Sequence, residues 1–225
     1  MKPSFETETF AVFDDFLGVE RLEAVRRHLA EERFVFLKSV WKPHSFYRLI
    51  EGDPLIGPTI YHNHPQVPKG FSSYPSQTPS DHVVEALLDA EESLAPWIGL
   101  RGCAWDYFTC TPYLYPAGSG LSWHDDAKER SGSFVLYLHD EWRSTWGAEL
   151  LIAMDTNGRN ASVERYQGVH TDLGTYVAAV PNRLVVIKAG TPHSVKSVST
   201  RAGENLRMSM TGFFQPLPKN ARDAE

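Results

Sequence analysis

YLYPAGSGLSWHDD, residues 113–126, runs from an aromatic segment through a Gly-rich turn into a second short run that ends in His124, Asp125 and Asp126. In a β-strand successive side chains face opposite ways, so His124 and Asp126 project from one face and Asp125 from the other. An imidazole beside a carboxylate suits a divalent metal, and a third ligand then has to come from another strand. His193, in AGTPHSV, is the candidate.

Working outward, the chain after Gly102 reads as short β-like runs separated by turns: CAWDYFTCTPYLY, SGSFVLYLHD, AELLIAMD, TYVAAVP, NRLVVIK, HSVKSVS and RMSMTGFFQ. Before it the signals are helical. Leu22, Val25 and Leu29 stand at helical spacing and predict an amphipathic helix over Val19–Glu32. Ser80 is the expected N-cap of a second helix, with Val83, Val84, Leu87, Leu88 and Leu94 as its apolar face and Pro96 and Gly99 as its stop. Between them FVFLKSVW, residues 34–41, reads as a strand, and residues 42–79, rich in Pro and Gly, as an irregular segment. Helices first and strands after predict a mainly β fold with N-terminal helices packed on one side of a β core. At 225 residues a single domain is expected, with helical support over about 1–101 and the β core over about 102–218.

Composition narrows the function. A net charge of -6 and the lack of any Lys/Arg run argue against a nucleic-acid partner. The N-terminus MKPSFETETF has no apolar signal region, and no window has the length of a membrane span, so a cytoplasmic protein with no membrane partner is expected. Cys103 and Cys110 lack CxxC spacing and read as buried, reduced thiols.

Other pairs resemble the His124–Asp126 spacing without its context. His170 and Asp172 lie in the polar stretch 156–174, read as a surface insertion, with no downstream His and Arg of their own. His62 and His64, in YHNHP, have no neighbouring carboxylate and read as ordinary loop histidines. Arg130, Lys128 and Arg143 read as solvated surface charges, and Trp123, Trp142 and Trp146 as either core or pocket walls.

Reading on from His193, Arg207 opens another strand, RMSMTGFF, and Ser209 shares its face. Three facial ligands with open positions opposite is the arrangement of non-haem Fe(II) oxygenases, leaving room for a bidentate 2-oxo acid and dioxygen. A cation beside such a metal invites a carboxylate, because the planar guanidinium pairs bidentately with one.

YPAGSGLSWHDD, VLYLHDEW with WGAELLI, VPNRLVVIKAGTPHSV and RMSMTGFF, in this order over Tyr113–Phe214, resemble the Fe(II)- and 2-oxoglutarate-dependent oxygenases, in particular their prolyl-4-hydroxylase-like branch. The resemblance implies a double-stranded β-helix, or jelly roll. It implies iron held by His124, Asp126 and His193, and 2-oxoglutarate bound by Arg207 and Tyr137, with Tyr115 lining its pocket. Ser209, facing the same way as Arg207, adds a hydroxyl. Arginine at 207 departs from the collagen prolyl hydroxylases, which carry lysine there. The resemblance further implies Fe(II), 2-oxoglutarate and O2 as cofactor and cosubstrates, ascorbate as a reductant, and succinate and CO2 as co-products. Because a carboxylate stands at Asp126, where halogenating relatives have a small residue, it points to hydroxylation.

The expected reaction is hydroxylation of an unactivated carbon in a small-molecule or amino-acid-like substrate, since no appended recognition domain is visible. Oxidation of a peptidyl or protein side chain is the alternative, since a groove beside a barrel can hold an extended peptide. A third reading is a non-catalytic metal-binding jelly roll, and Arg207 argues against it, because a structural metal site needs no cosubstrate anchor.

Overall fold

Alternate residues along the central strands enter two different cores. In the strand Gly132–Tyr137, Phe134 and Leu136 join one apolar cluster while Val135 and Tyr137 join another. Leu184–Lys188 splits the same way, Leu184 and Val186 against Val185 and Ile187. A strand buried on both faces reads as a continuous apolar run, which is why FVLYL and LVVI lack polar alternation. The computed structural model describes residues 1–40, 49–126, 129–154 and 174–217. Trp41, Lys128, His170, Asp172 and the tail from Lys219 lie outside them.

In chain order the strands and helices are β1 (Phe5–Glu6), β2 (Phe10–Phe13), α1 (Val19–Glu31), β3 (Val35–Phe36), α2 (Leu37–Val40), β4 (Ile50–Glu51), β5 (Leu55–Ile56), β6 (Ile60–His62), β7 (Ser72–Ser73), α3 (Asp81–Asp89) and α4 (Glu91–Ile98). Then follow β8 (Tyr107–Tyr115), β9 (Gly120–His124), β10 (Gly132–Tyr137), β11 (Leu150–Ala153), β12 (Gly174–Val177), β13 (Leu184–Lys188), β14 (His193–Val195) and β15 (Arg207–Gln215). They form two sheets. The larger runs β1-β2-β13-β10-β15-β8-β5-β3, with β6 also on β8 and β7 beside β6. The smaller runs β12-β11-β14-β9-β4. All pairings are antiparallel except β6 with β7. The architecture is a jelly roll, mainly β with its helices on the outer face of the larger sheet.

That outer face is where the helices bury their stripes. Leu22, Val25 and Leu29 of α1, Val83, Val84 and Leu87 of α3, and Leu94, Trp97 and Ile98 of α4 pack with Phe134, Leu136, Leu184 and Val186. The inner cluster, with Val12, Tyr137, Leu150, Ile152, Val177 and Val195, fills the space between the sheets. Among the described residues no helix is long and apolar enough to cross a membrane.

Several elements differ from the sequence expectation. Leu37–Val40 is a helical turn and not the end of a strand, with Leu37 buried and its N–H donating to Pro54 O at 2.9 Å. Ser80 makes no side-chain cap, and the carboxylate of Asp81 instead accepts from the Ser76 and Gln77 N–H groups at 3.0 and 2.9 Å. The expected second helix is two, broken at Ala90, and Pro96 lies inside α4. His62 is no loop residue: it is buried on β6, stacked on Phe108 with centroids 4.7 Å apart. Of the two free thiols only Cys110 is buried, and Cys103 is exposed.

The N-terminal pair β1 and β2 carried no sequence signal. Its place comes from its partner: Phe10–Phe13 pairs with Leu184–Ile187 and so extends the larger sheet. Asn182 secures the chain just after β2, accepting from Leu17 N at 2.9 Å and donating to Leu17 O at 2.8 Å.

Candidate active site

β9 and β14 lie side by side in the smaller sheet, and His124 is the register partner of His193. The two strands come close because position 120 is glycine: a Cβ there would stand 2.8 Å from Val195 O and 3.0 Å from Ser197 N. Glu51 on β4 ties the same region together, accepting from the hydroxyls of Ser122 and Ser197. β9 ends at His124, so Asp126 is set by the loop beyond the strand and not by strand alternation.

The three side chains meet. One ligand atom from each of His124, Asp126 and His193 lies within 4.8 Å of the others, and all three residues are buried. The imidazole centroids are 4.2 Å apart. Each ring also has its tautomer set by a backbone carbonyl, His124 Nδ1 to Ser122 O and His193 Nδ1 to Thr191 O, both at 2.9 Å. A carbonyl only accepts, so Nδ1 carries the proton and Nε2 keeps its lone pair for a metal. Burial, reinforced by the neighbouring His193, lowers the pKa of His124 to about 4, so it is neutral at physiological pH.

Across the barrel, β15 holds Arg207 and Ser209 on one face. Register places Arg207 opposite Tyr115 of β8 and Ser209 opposite Tyr137 of β10. The guanidinium of Arg207 sits 5.1 Å from the Tyr115 ring centroid and 4.9 Å from that of Tyr137. Arg207 is 2% exposed, donates from Nη1 to Ser209 Oγ at 3.2 Å, and has no carboxylate partner among the described residues. Its Nε and the Tyr137 hydroxyl are buried without any hydrogen-bond partner among them. A buried cation beside an unpartnered hydroxyl fits a ligand carboxylate, since leaving either unpaired costs several kcal/mol by order of magnitude. Burial also raises the pKa of Tyr115, which stays a neutral phenol despite the opposing pull of Arg207.

Residues 110–215 match the family model of the 2OG-Fe(II) oxygenase superfamily. The chain carries a 2OG-Fe(II) oxygenase domain. No curated protein matches the sequence. The oxygenase is similar in structure to a prolyl-4-hydroxylase from Pseudomonas putida, with 21% identity, a TM-score of 0.63 and coverage of 93% of this chain and 94% of that one. It is also similar to a Trichoplax adhaerens prolyl hydroxylase in complex with a hypoxia inducible factor oxygen degradation domain peptide fragment, at 17% identity and a TM-score of 0.61, over 97% of this chain and 89% of that one. A third similar structure is HygX from Streptomyces hygroscopicus with nickel, 2-oxoglutarate and hygromycin B bound, at 13% identity and a TM-score of 0.54, over 92% and 83% of the two chains. At these identities the likeness is one of fold. The oxygenase is thus a dioxygenase that uses Fe(II), 2-oxoglutarate and O2.

One residue read as a surface charge lies against the cluster. Arg130 reaches Asp126, its Nη1 3.5 Å from Oδ1, and its guanidinium lies flat on Phe213, 3.5 Å from the ring centroid. Sequence could not locate it, because only the loop after Asp126 decides whether the arginine turns in or out. Arg143 is exposed and pairs with Glu141. Of the tryptophans, Trp146 is core, and Trp142 packs on it with centroids 5.3 Å apart.

Proposed function

We propose that this dioxygenase hydroxylates an unactivated carbon of a small-molecule or amino-acid-like substrate, converting 2-oxoglutarate and O2 to succinate and CO2. In this reading His124 and His193, through Nε2, and the Asp126 carboxylate hold Fe(II), which when bound supplies the activation of dioxygen. Arg207 pairs with the far carboxylate of 2-oxoglutarate, and the Tyr137 hydroxyl donates to the same group. Ser209 holds the guanidinium in place, and Tyr115 forms the pocket wall beneath it. Burial of all these groups keeps water from the reacting carbon.

The observation that carries the reading is the buried Arg207 and Tyr137 pair, both with unpartnered polar atoms, on the strands that face the His124–Asp126–His193 cluster. A metal site serving stability alone has no use for that pair. The test is succinate release by purified protein supplied with iron, ascorbate, oxygen and 2-oxoglutarate. Slow, substrate-independent turnover is expected, and protein that neither binds 2-oxoglutarate nor makes succinate overturns the reading.

A peptidyl substrate is the second reading. It is favoured by the fold likeness to the Trichoplax enzyme, whose structure contains a peptide fragment, whereas the HygX structure contains hygromycin B. Free amino acids and small acids tested against peptides for stimulation of succinate release separate the two.

A further inference from the structure

A cavity of about 700 Å³, a volume suited to one small ligand, connects to the cluster through Arg130, which lines it and reaches Asp126. Its walls include the aromatic rings of Tyr61, Phe71, Tyr107, Tyr113 and Phe213. The threonine hydroxyls on the same walls are already paired. Thr59 and Thr111 bond each other through their hydroxyls at 2.9 Å, and Thr109 Oγ1 accepts from Phe213 N at 3.3 Å. At the mouth, Glu32 pairs with His28 at 3.6 Å and Arg33 is exposed. Arg130 is the lining cation that also contacts Asp126.

The side chain of Arg130 is 27% exposed. A guanidinium has five N–H donors, and among the described residues Arg130 uses one, on Asp126. Resting on the proposed oxygenase reading, the charges of the loaded centre can be counted. The divalent metal, the Asp126 carboxylate, the two carboxylates of 2-oxoglutarate and Arg207 cancel. With Asp126 counted toward the metal, the partly buried guanidinium of Arg130 has no other carboxylate bonded to it among the described residues, Glu129 acting on it only through its field.

We propose that the substrate is a small monocarboxylic acid with an apolar body, its carboxylate held on the free edge of Arg130 and its body against the aromatic walls. A planar carboxylate matches the guanidinium fork, and stacking on Phe213 fixes the plane of that fork. An acid anchored there lies next to Asp126, so its carbons near the carboxylate are those presented to the metal. Arg130 is then the residue that determines specificity for charge.

The test uses Ni(II) in place of Fe(II), so that binding is read without turnover. The protein is saturated with Ni(II) and 2-oxoglutarate and titrated calorimetrically with 3-phenylpropionate and, separately, with 3-phenylpropionamide. Wild type is expected to favour the acid by about tenfold or more, the scale of one desolvated charge pair. Arg130→Gln should abolish that preference, Arg130→Lys should keep part of it, and the exposed Arg143→Gln should keep all of it. Equal binding of acid and amide, no binding of the acid, or an acid preference that survives in Arg130→Gln overturns the proposal. The 2-oxoglutarate titration that precedes the probes separates the two readings. If 2-oxoglutarate fails to bind, the oxygenase reading falls and takes this proposal with it, whereas if it binds and the acid does not, this proposal alone falls.

Discussion

His124 and His193 face each other as register partners across β9 and β14, and each gives its Nδ1–H to the carbonyl two residues before it in sequence. The same local device thus fixes both rings in the tautomer that carries its proton on Nδ1. Replacing either histidine or Asp126 by Ala should remove metal binding, a loss larger than the ~100-fold produced by disturbing a ligand's supporting hydrogen bond. Anaerobic Fe(II) titration checks it. Full activity in His124→Ala would contradict the assignment.

Arg207→Ala is expected to behave differently. The metal should still bind, while 2-oxoglutarate should weaken by about 2–5 kcal/mol, the cost of leaving one partner of a buried charge pair alone. Tyr137→Phe removes only a hydrogen bond and should cost about 1 kcal/mol. Calorimetry of 2-oxoglutarate binding to the two variants gives the ranking, and the reverse order would sink the assigned roles.

Stability should fall on mild acidification. Burial, reinforced by Arg101, lowers the pKa of His62 from 6.5 to about 4. In His139 burial is again the largest cause, opposed by its bond to Ala179 O and reinforced by Arg207, and its pKa also falls to about 4. The unfolded chain takes up these protons as pH drops through 6.5, but the folded chain only near 4, so stability is intact above 6.5 and declines between the two values. Each histidine contributes at most about 1.4 kcal/mol per pH unit to that slope. Urea unfolding across the window should show a shallower decline in His62→Gln, and an unchanged slope would refute the attribution.

At Gly212 β15 passes close to β8. A Cβ there collides with the Thr109 carbonyl and the Phe134 ring, whereas one at Gly18 meets nothing within 4 Å. Gly212→Ala should therefore lose about 1–3 kcal/mol or fail to fold, while Gly18→Ala stays within about 0.5 kcal/mol. Equal melting temperatures for the two variants would show that the sheet yields.

Legible in sequence were Arg207 with Ser209 on one strand face, from strand spacing, and the grouping of His124, Asp126 and His193, from linked motifs, since Asp126 lies past the end of β9 where strand spacing does not reach. The runs of β10 and β13 without polar alternation follow from burial on both faces. What stayed hidden depends on contacts between distant elements. Phe10–Phe13 is a four-residue apolar run whose identity as a strand comes from β13. Arg130 turns inward because Asp126 and Phe213 await it there. Pro96 suggested a stop, yet α4 continues because Leu94, Trp97 and Ile98 bury against the larger sheet. Leu37 turns helical for the same reason, its side chain being buried where an extended chain would have carried on.

The pairing of β2 with β13 joins residues from opposite ends of the chain, Phe10 with Ile187 and Phe13 with Leu184. A ribosome releases β2 long before it has made β13, so the nascent chain carries an apolar strand with neither face covered and one edge lacking its partner. Such a segment is prone to pair with other chains. N-terminal fragments that stop short of Leu184 are accordingly expected to aggregate, and the oxygenase to reach its folded form only after most of its synthesis is complete.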